Sequence, residues 1–514
     1  MTEETVDLNP SGTTLADVVA VARRGARVVL TPAALAAIEE SRRAVEVLAS
    51  AATPAYGIST GFGALATRHI PPELREDLQA SLIRSHAAGL GAPVEAEVVR
   101  ALMFLRLKTL ASGRTGVRPV VAQTLADMLN AGVTPLVREY GSLGCSGDLA
   151  PLAHCAMVLT GEGEVLTADG EIIPGAIALE RAGIAPVRLA AKEGLALING
   201  TDGMLGMLIL ACTDLAALCP AADVIAAMSV EALLGTDQVF RPELHGPLRP
   251  HPGQTLSAAN MFAVLAGSGI VASHREQDTR VQDPYSFRCA PQVTGAVRDT
   301  LTHALTVAGR EIEASVDNPV VLPSGEVSSN GNFHGAPVGY VLDFLAIAVA
   351  DLGSIAERRT DRLLDQARSH GLPPFLAGNP GVDSGLMIAQ YTQAAMVSEN
   401  KRLAVPASVD SIPSSGMQED HVSMGWSAAR KLRTALANLR RILAIELVVA
   451  ARATELRAPL EPAPATAAVI DALRESVPGM GPDRFLSPEL AEAEQFVGSG
   501  VVLRAAASVV GDLG

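Results

Sequence analysis

The stretch EYGSLGCSGDLAPLAHC, from Glu139 to Cys155, places a thiol, a hydroxyl and a glycine side by side at Cys145, Ser146 and Gly147, with Asp148 immediately after. Three chemistries are open to such residues. A nucleophile elbow needs Gly-x-Ser-x-Gly on a strand–turn–helix. Here Asp148 stands where the last glycine belongs, and no parallel sheet is in prospect to hold the turn. A tetrahedral metal site needs several ligands at workable spacing, and Cys145, His154 and Cys155 are too few and too unevenly placed. The third reading is self-modification. If the Gly147 amide nitrogen attacks the Cys145 carbonyl carbon, a five-membered ring closes, and glycine suits the attack because it lacks a Cβ. Loss of water from that carbonyl, and then of the Ser146 hydroxyl, leaves a methylidene on an imidazolone. No standard side chain is a comparable electrophile. Residue types alone do not choose this reading, because a plain small-residue turn is the commoner meaning of Cys-Ser-Gly.

The elements that must position these residues read as mainly α. TPAALAAIEESRRAVEVLASA opens with Thr31 as N-cap and Pro32 at the first helical position. SPELAEAEQFVGSGVVLRAAASVV repeats the device with Ser487, Pro488 and Glu489. Two longer segments, from Tyr340 and from Ser427, space apolar residues by three and four and exceed an average globular helix. Helices of that length usually bundle. Strand signals are few: a hairpin over Gly163 to Gly175 with an Asp169-Gly170 turn, and a short ribbon over Val320 to Asn332. A soft boundary near residue 200 divides an N-terminal region, 1–200, from a long-helix region, 201–514.

Composition narrows the function classes. The 514 residues are 48% hydrophobic but only 3% aromatic, so alanine, leucine and valine must fill the core, which suits close-packed helices. A net charge of −15 without a basic cluster argues against nucleic acid. The acidic N-terminus is unlike a secretory or mitochondrial leader. The longest uncharged stretch, Pro252 to Ser273, is broken by polar residues and reads as a buried helix, so no membrane span is expected. Five cysteines, an odd number with no C-x-x-C, fit reduced thiols in the cytoplasm.

GSLGCSGDLAPLAH closely resembles the motif of the aromatic amino acid and histidine ammonia-lyase family, in which an Ala-Ser-Gly triad cyclises into 4-methylidene-imidazol-5-one. Cys145 stands where alanine is usual, a mild departure because that residue gives only its carbonyl to the ring. The resemblance extends over nearly the whole chain. It implies that the prosthetic group forms from Cys145, Ser146 and Gly147 with no external cofactor and no metal. YGISTGFG resembles the loop that delivers Tyr56 as the base for the substrate β-proton. In KEGLALINGTD, Asn199 would hydrogen-bond the ring and the substrate amine. RVQDPYSFRCAPQVTGA would supply Gln282, Tyr285 near the prosthetic group, and Arg288 for the substrate carboxylate. NGNFHGAP puts Phe333 where an aromatic lies near the ring.

Two stretches bear on the substrate. RSHAAGLG carries the pair Ser85-His86 where members acting on aromatic substrates usually have pairs such as Phe-Leu or His-Leu. SGMQEDHVSMG resembles the histidine-specific block, with Glu419 where glutamine is common in phenylalanine and tyrosine lyases. Both side chains can pair with an imidazole. The resemblance therefore implies deamination of L-histidine to trans-urocanate and ammonia, the first step of histidine degradation. Phenylalanine or tyrosine lyases and aminomutases on the same scaffold are the alternative. It further implies a fumarase/aspartase-like central bundle and a homotetramer whose active sites are shared between subunits.

Overall fold

Thr31 and Pro32 begin a helix as their types require. It runs Pro32–Ser50, and the Ala34 N–H donates to Thr31 Oγ1 at 3.3 Å. The computed structural model describes residues 4–50, 57–61, 67–276, 278 and 280–514. It is 59% helix and 6% strand, the mainly helical architecture that the composition and the two long periodic segments anticipate. Those segments form the helices Ala336–Leu364 and Gly425–Glu455. Both expected ribbons are present. Glu164–Leu166 pairs antiparallel with Ile172–Pro174, and Val320–Val321 pairs with Val327–Ser328.

The chain divides into two compact units. One comprises Met1–Leu210, Leu305–Asp343 and Pro406–Arg430. Its first strands, Thr5–Leu8 and Arg27–Leu30, pair in parallel and alternate exposed and buried residues, and the helix Leu15–Arg23 links them. A reciprocal Thr14–Asp17 capping box starts that helix. Behind it lies Ala96–Ala111, which is buried from Val98 to Ala111 apart from Arg100. Its Arg106 and Lys108 are buried too and donate to the backbone carbonyls of Val316 and Ala314.

The other unit comprises Ala211–Ala304, Phe344–Val405 and Lys431–Gly514. Within it, parts of the long helices are joined by buried polar contacts. Glu446 accepts from Arg359 Nε at 2.5 Å, Arg359 Nη2 at 3.0 Å and Ser229 Oγ at 2.7 Å. Gln393 Nε2 reaches the Ile442 carbonyl at 2.9 Å.

Three elements depart from the sequence reading. The helix Asp202–Ala232 has no clear periodic signature because it is buried on nearly every side, so no polar stripe marks a face. The run from Ser487 is two helices, Ser487–Gly498 and Val501–Val510, broken where Gly500 takes φ +75°. Ser487 does not cap the first, whose N-cap position is Leu486; Glu489 instead pairs with Arg484 at 2.5 Å. Pro252–Val264 likewise stops early. Gly267 turns at φ +78° and Ser268 caps a new short helix, Gly269–Ala272. Two segments, Glu193–Ala232 and Ala336–Leu364, are long and apolar enough to cross a membrane, but 78% and 61% of their most apolar windows are buried in the fold, as in core helices.

The Arg359–Glu446 pair gives a direct test of the second unit's interior. Glu446→Ala strands a buried guanidinium and should cost ~3–5 kcal/mol, read as a lowered denaturation midpoint.

Candidate active site

Cys145, Ser146 and Gly147 lie in the turn between the strand Arg138–Tyr140 and the helix Leu149–Leu159. Gly147 has φ +76°, and a Cβ there would fall 2.1 Å from the Gly200 carbonyl oxygen, so only glycine fits. The Asp148 N–H donates to that same oxygen at 2.7 Å. The turn therefore presses backbone against backbone at Gly200, one residue after Asn199.

Asp148 precedes its own helix but does not cap it. Its fully buried carboxylate accepts the N–H groups of Gly203 and Met204, both at 2.9 Å, at the start of the helix Asp202–Ala232. Ser142 Oγ donates to its other oxygen at 2.8 Å. Negative charge at a helix N-terminus is favourable, yet burial pushes this carboxyl from 3.8 up to about 7, with Met204 N–H and Ser142 pulling the other way.

A second segment fastens the turn from the opposite side. Ser423 Oγ donates to the Gly144 carbonyl at 2.7 Å, and Met424 N–H to Leu143 at 2.9 Å. Cys145 packs there against Val422 and Met424. This attachment brings in Glu419. Its Oε1 lies 3.3 Å from Ser146 Oγ, and its Oε2 accepts from Cys145 Sγ at 3.4 Å and Ser414 Oγ at 3.1 Å. The carboxylate stands on a tight turn in which Ser414 N–H donates to Glu419 O at 2.8 Å and Glu419 N–H returns to Ser414 O at 3.3 Å. Ser415, Gly416 and Met417 between them all have positive φ. Two of the three are not glycine, which stores strain of the kind that collects at functional sites.

Asn199 is held from behind. Arg106 Nη1 donates to its carbonyl at 2.9 Å, and its Nδ2 donates to the Asn318 carbonyl at 2.9 Å. Its Oδ1 is buried with no partner. Next to Asn318, Asp317 pairs with Lys192 at 2.5 Å, both fully buried. Burial drives the lysine down and the aspartate up, each opposed by the other's charge. Phe333 is half-buried on a loop that Gly335 N–H ties to the Gly144 carbonyl at 3.1 Å. Beside it, His334 Nε2 meets His421 Nδ1 at 3.1 Å.

His86 ends the helix Arg75–His86, four residues before a strand whose Leu90 pairs with Tyr140. Its Nδ1 lies 2.9 Å from the Leu82 carbonyl. A carbonyl only accepts, so the tautomer with its hydrogen on Nδ1 is the one that makes this bond, leaving Nε2 as an acceptor; Ser85 Oγ also lies 3.1 Å from Nδ1.

The first unit thus gathers Cys145, Ser146, Gly147, Asn199 and Glu419, with Phe333 on an attached loop. Gln282, Tyr285 and Arg288 belong to the second unit. Gln282 and Tyr285 are exposed; the Arg288 guanidinium lies 4.8 Å from the Tyr285 ring centre, and its Nε is buried without a partner. Tyr56 lies outside the described residues. Beyond it, Gly57–Gly61 are buried, and Thr60 bridges to His69. Among the described residues no three His, Cys, Asp or Glu side chains gather as a metal site would require.

Several supporting residues carried no role in the sequence reading: Ser142, Asp148, Arg106, Lys192, Asp317, Ser414 and Ser423. Asp148 directly follows the triad and Ser423 lies within the Glu419 block, so position was their one available signal. Ser142 and Ser414 act within a few residues of Asp148 and Glu419, whereas Arg106, Lys192 and Asp317 act across the chain, where no local pattern marks them.

The aromatic amino acid lyase family model matches residues 13–475. The histidine ammonia-lyase of Streptomyces coelicolor is 67% identical over 510 residues, 99% of each chain. That of Gloeobacter violaceus is 49% identical over 498 residues, covering 97% of this chain and 96% of the relative. Among solved structures, the tyrosine aminomutase of Streptomyces globisporus superposes with TM-score 0.92 at 38% identity, covering 98% of each chain. The histidine ammonia-lyase of Trypanosoma cruzi superposes with TM-score 0.89 at 37% identity, over 98% of this chain and 95% of that one.

Burial of Asp148 has a consequence for stability. Between 3.8 and about 7 the folded chain holds a proton that the unfolded chain has released. The group's contribution is therefore greatest below that window and is lost as pH rises through it. Asp148→Asn does not titrate, so the parent's denaturation midpoint should decline relative to the variant's between about pH 4 and about pH 7.

Proposed function

The chain belongs to the aromatic amino acid lyase family, and from that we infer that it is a histidine-specific ammonia-lyase, releasing ammonia from L-histidine to leave trans-urocanate. The observation that carries the reading is the Glu419 carboxylate at 3.3 Å from Ser146 Oγ. An anionic acceptor there suits an imidazole and leaves a phenyl ring without a partner. The high identity to named histidine ammonia-lyases agrees with it.

The residues fit a 4-methylidene-imidazol-5-one made from Cys145, Ser146 and Gly147. Gly147 is held in a conformation that only glycine accepts, and its amide nitrogen belongs to the residue that would close the ring. Such a group supplies an electrophile that makes the substrate amine a leaving group.

The chain's own residues do the rest. Asn199 Oδ1 accepts from the substrate amine, and Arg288, whose buried Nε lacks a partner, holds the carboxylate. Tyr56 takes the β-proton; a phenol near ~10 needs hydrogen-bonding or cationic help to do so, and Tyr285 shares that transfer. Gln282 and Phe333 bound the substrate. His86 Nε2 and Glu419 both accept, so an imidazole between them is read best when it offers N–H at each nitrogen. The family's assembly, a homotetramer with sites shared between subunits, lets Tyr56 and Arg288 come from other copies. The five cysteines are free, which accords with a cytoplasmic enzyme.

Two experiments test this reading. The intact parent should weigh two waters less than its sequence, and Ser146→Ala should restore one full, uncyclised mass and lose at least about a hundredfold in ammonia release; near-normal turnover refutes the mechanism. Glu419→Gln should lower kcat/KM for L-histidine far more than any residual turnover of L-phenylalanine, since it removes the charge that an imidazole meets.

A further inference from the structure

We propose that Cys145 is a positioning residue for Glu419: its thiol and the Ser414 hydroxyl together fix one carboxylate oxygen so that the other faces Ser146 and the substrate. The proposal deepens the functional reading above and rests on its role for Glu419. The two oxygens have different surroundings. Oε2 accepts from Cys145 Sγ at 3.4 Å and from Ser414 Oγ at 3.1 Å, whereas Oε1 meets Ser146 Oγ at 3.3 Å. Loss of the Ser146 hydroxyl during maturation removes the contact at Oε1 and leaves both contacts at Oε2. The carboxylate is then anchored by one oxygen and open at the other.

The thiol is fitted to this task. Cys145 is 6% exposed and wedged against Val422 and Met424, so its Sγ has a fixed direction. Burial, and then the charge of Glu419, push the thiol up to about 12, so it stays protonated and donates. A thiol is a weak donor, but a carboxylate acceptor strengthens the bond. Alanine, usual at this position in the family that the sequence resembles, would leave Oε2 to Ser414 alone. Among the described residues, Asp420 and His421 adjoin Glu419 on its own segment, and His334 is bonded to His421.

The test uses the full-length enzyme, with intact mass confirming a two-water deficit in each variant. Cys145→Ala should lower kcat/KM for L-histidine about threefold to tenfold, the worth of one net hydrogen bond. It should also move the acid limb of that pH profile upward, because a carboxylate that loses a donor becomes more basic. Cys145→Ser, which keeps a donor, should stay closer to the parent in both. In a Glu419→Gln background Cys145→Ala should cause no further loss, since the pair act as one unit. A mature Cys145→Ala enzyme with parental kcat/KM and acid limb overturns the proposal, as does an equal loss in the Glu419→Gln background. Failure of Cys145→Ala to reach the two-water deficit also overturns it, by assigning the thiol to maturation instead. Parental histidine turnover in Glu419→Gln alone overturns the reading of Glu419 and this proposal with it, a result distinct from the others.

Discussion

Asp148 has to satisfy two N–H groups at the start of a 31-residue helix and a hydroxyl from its own turn, all away from water. Asp148 fixes where the Cys145–Gly147 turn sits relative to Gly200, because its backbone N–H bonds the Gly200 carbonyl while its carboxylate holds the helix start. Asn199 follows, being one residue away and braced by Arg106 and Asn318. A desolvated acceptor with three donors is costly to disturb. The site therefore inherits the rigidity of the helix core on which it is built, and its precision does not depend on the turn's own few residues.

The sequence made much of this legible, for identifiable reasons. Amphipathic helices announced themselves because one face is wet, as in Pro32–Ser50 and Gly425–Glu455. Asp202–Ala232 did not, since a helix surrounded by protein has no stripe to read. The triad was visible as a local pattern, and the Glu419 block as a resemblance. Their meeting was not visible: 273 positions separate Ser146 from Glu419, and the contact depends on Ser423 and Met424 gripping the backbone of Leu143 and Gly144. The buried Lys192–Asp317 pair was equally hidden, because each partner alone looks like an ordinary surface charge.

The backbone does not choose the reaction. It superposes on a tyrosine aminomutase as well as on a histidine ammonia-lyase, and both share the helical scaffold. What separates such enzymes has to lie in the side chains that meet the substrate ring and in how firmly they are held. On the reading proposed above, His86 and Glu419 are of that kind. His86 is oriented by a helix carbonyl, and Glu419 by donors from its own turn and from the turn it faces.

The six residues from Ser414 to Glu419 close on themselves through hydrogen bonds in both directions. Their conformation is thus specified locally, while their backbone attachment to the rest of the unit comes after them, at Val422 to Met424, and the Glu419 side chain alone among the contacts described above reaches the Cys145–Gly147 turn. On the proposed reading of Glu419, the arrangement separates the part that would meet the substrate ring from the part that carries it. Such a cassette can be rewritten in lineage or laboratory without renegotiating the helices, so new substrate preferences can arise on an unaltered frame.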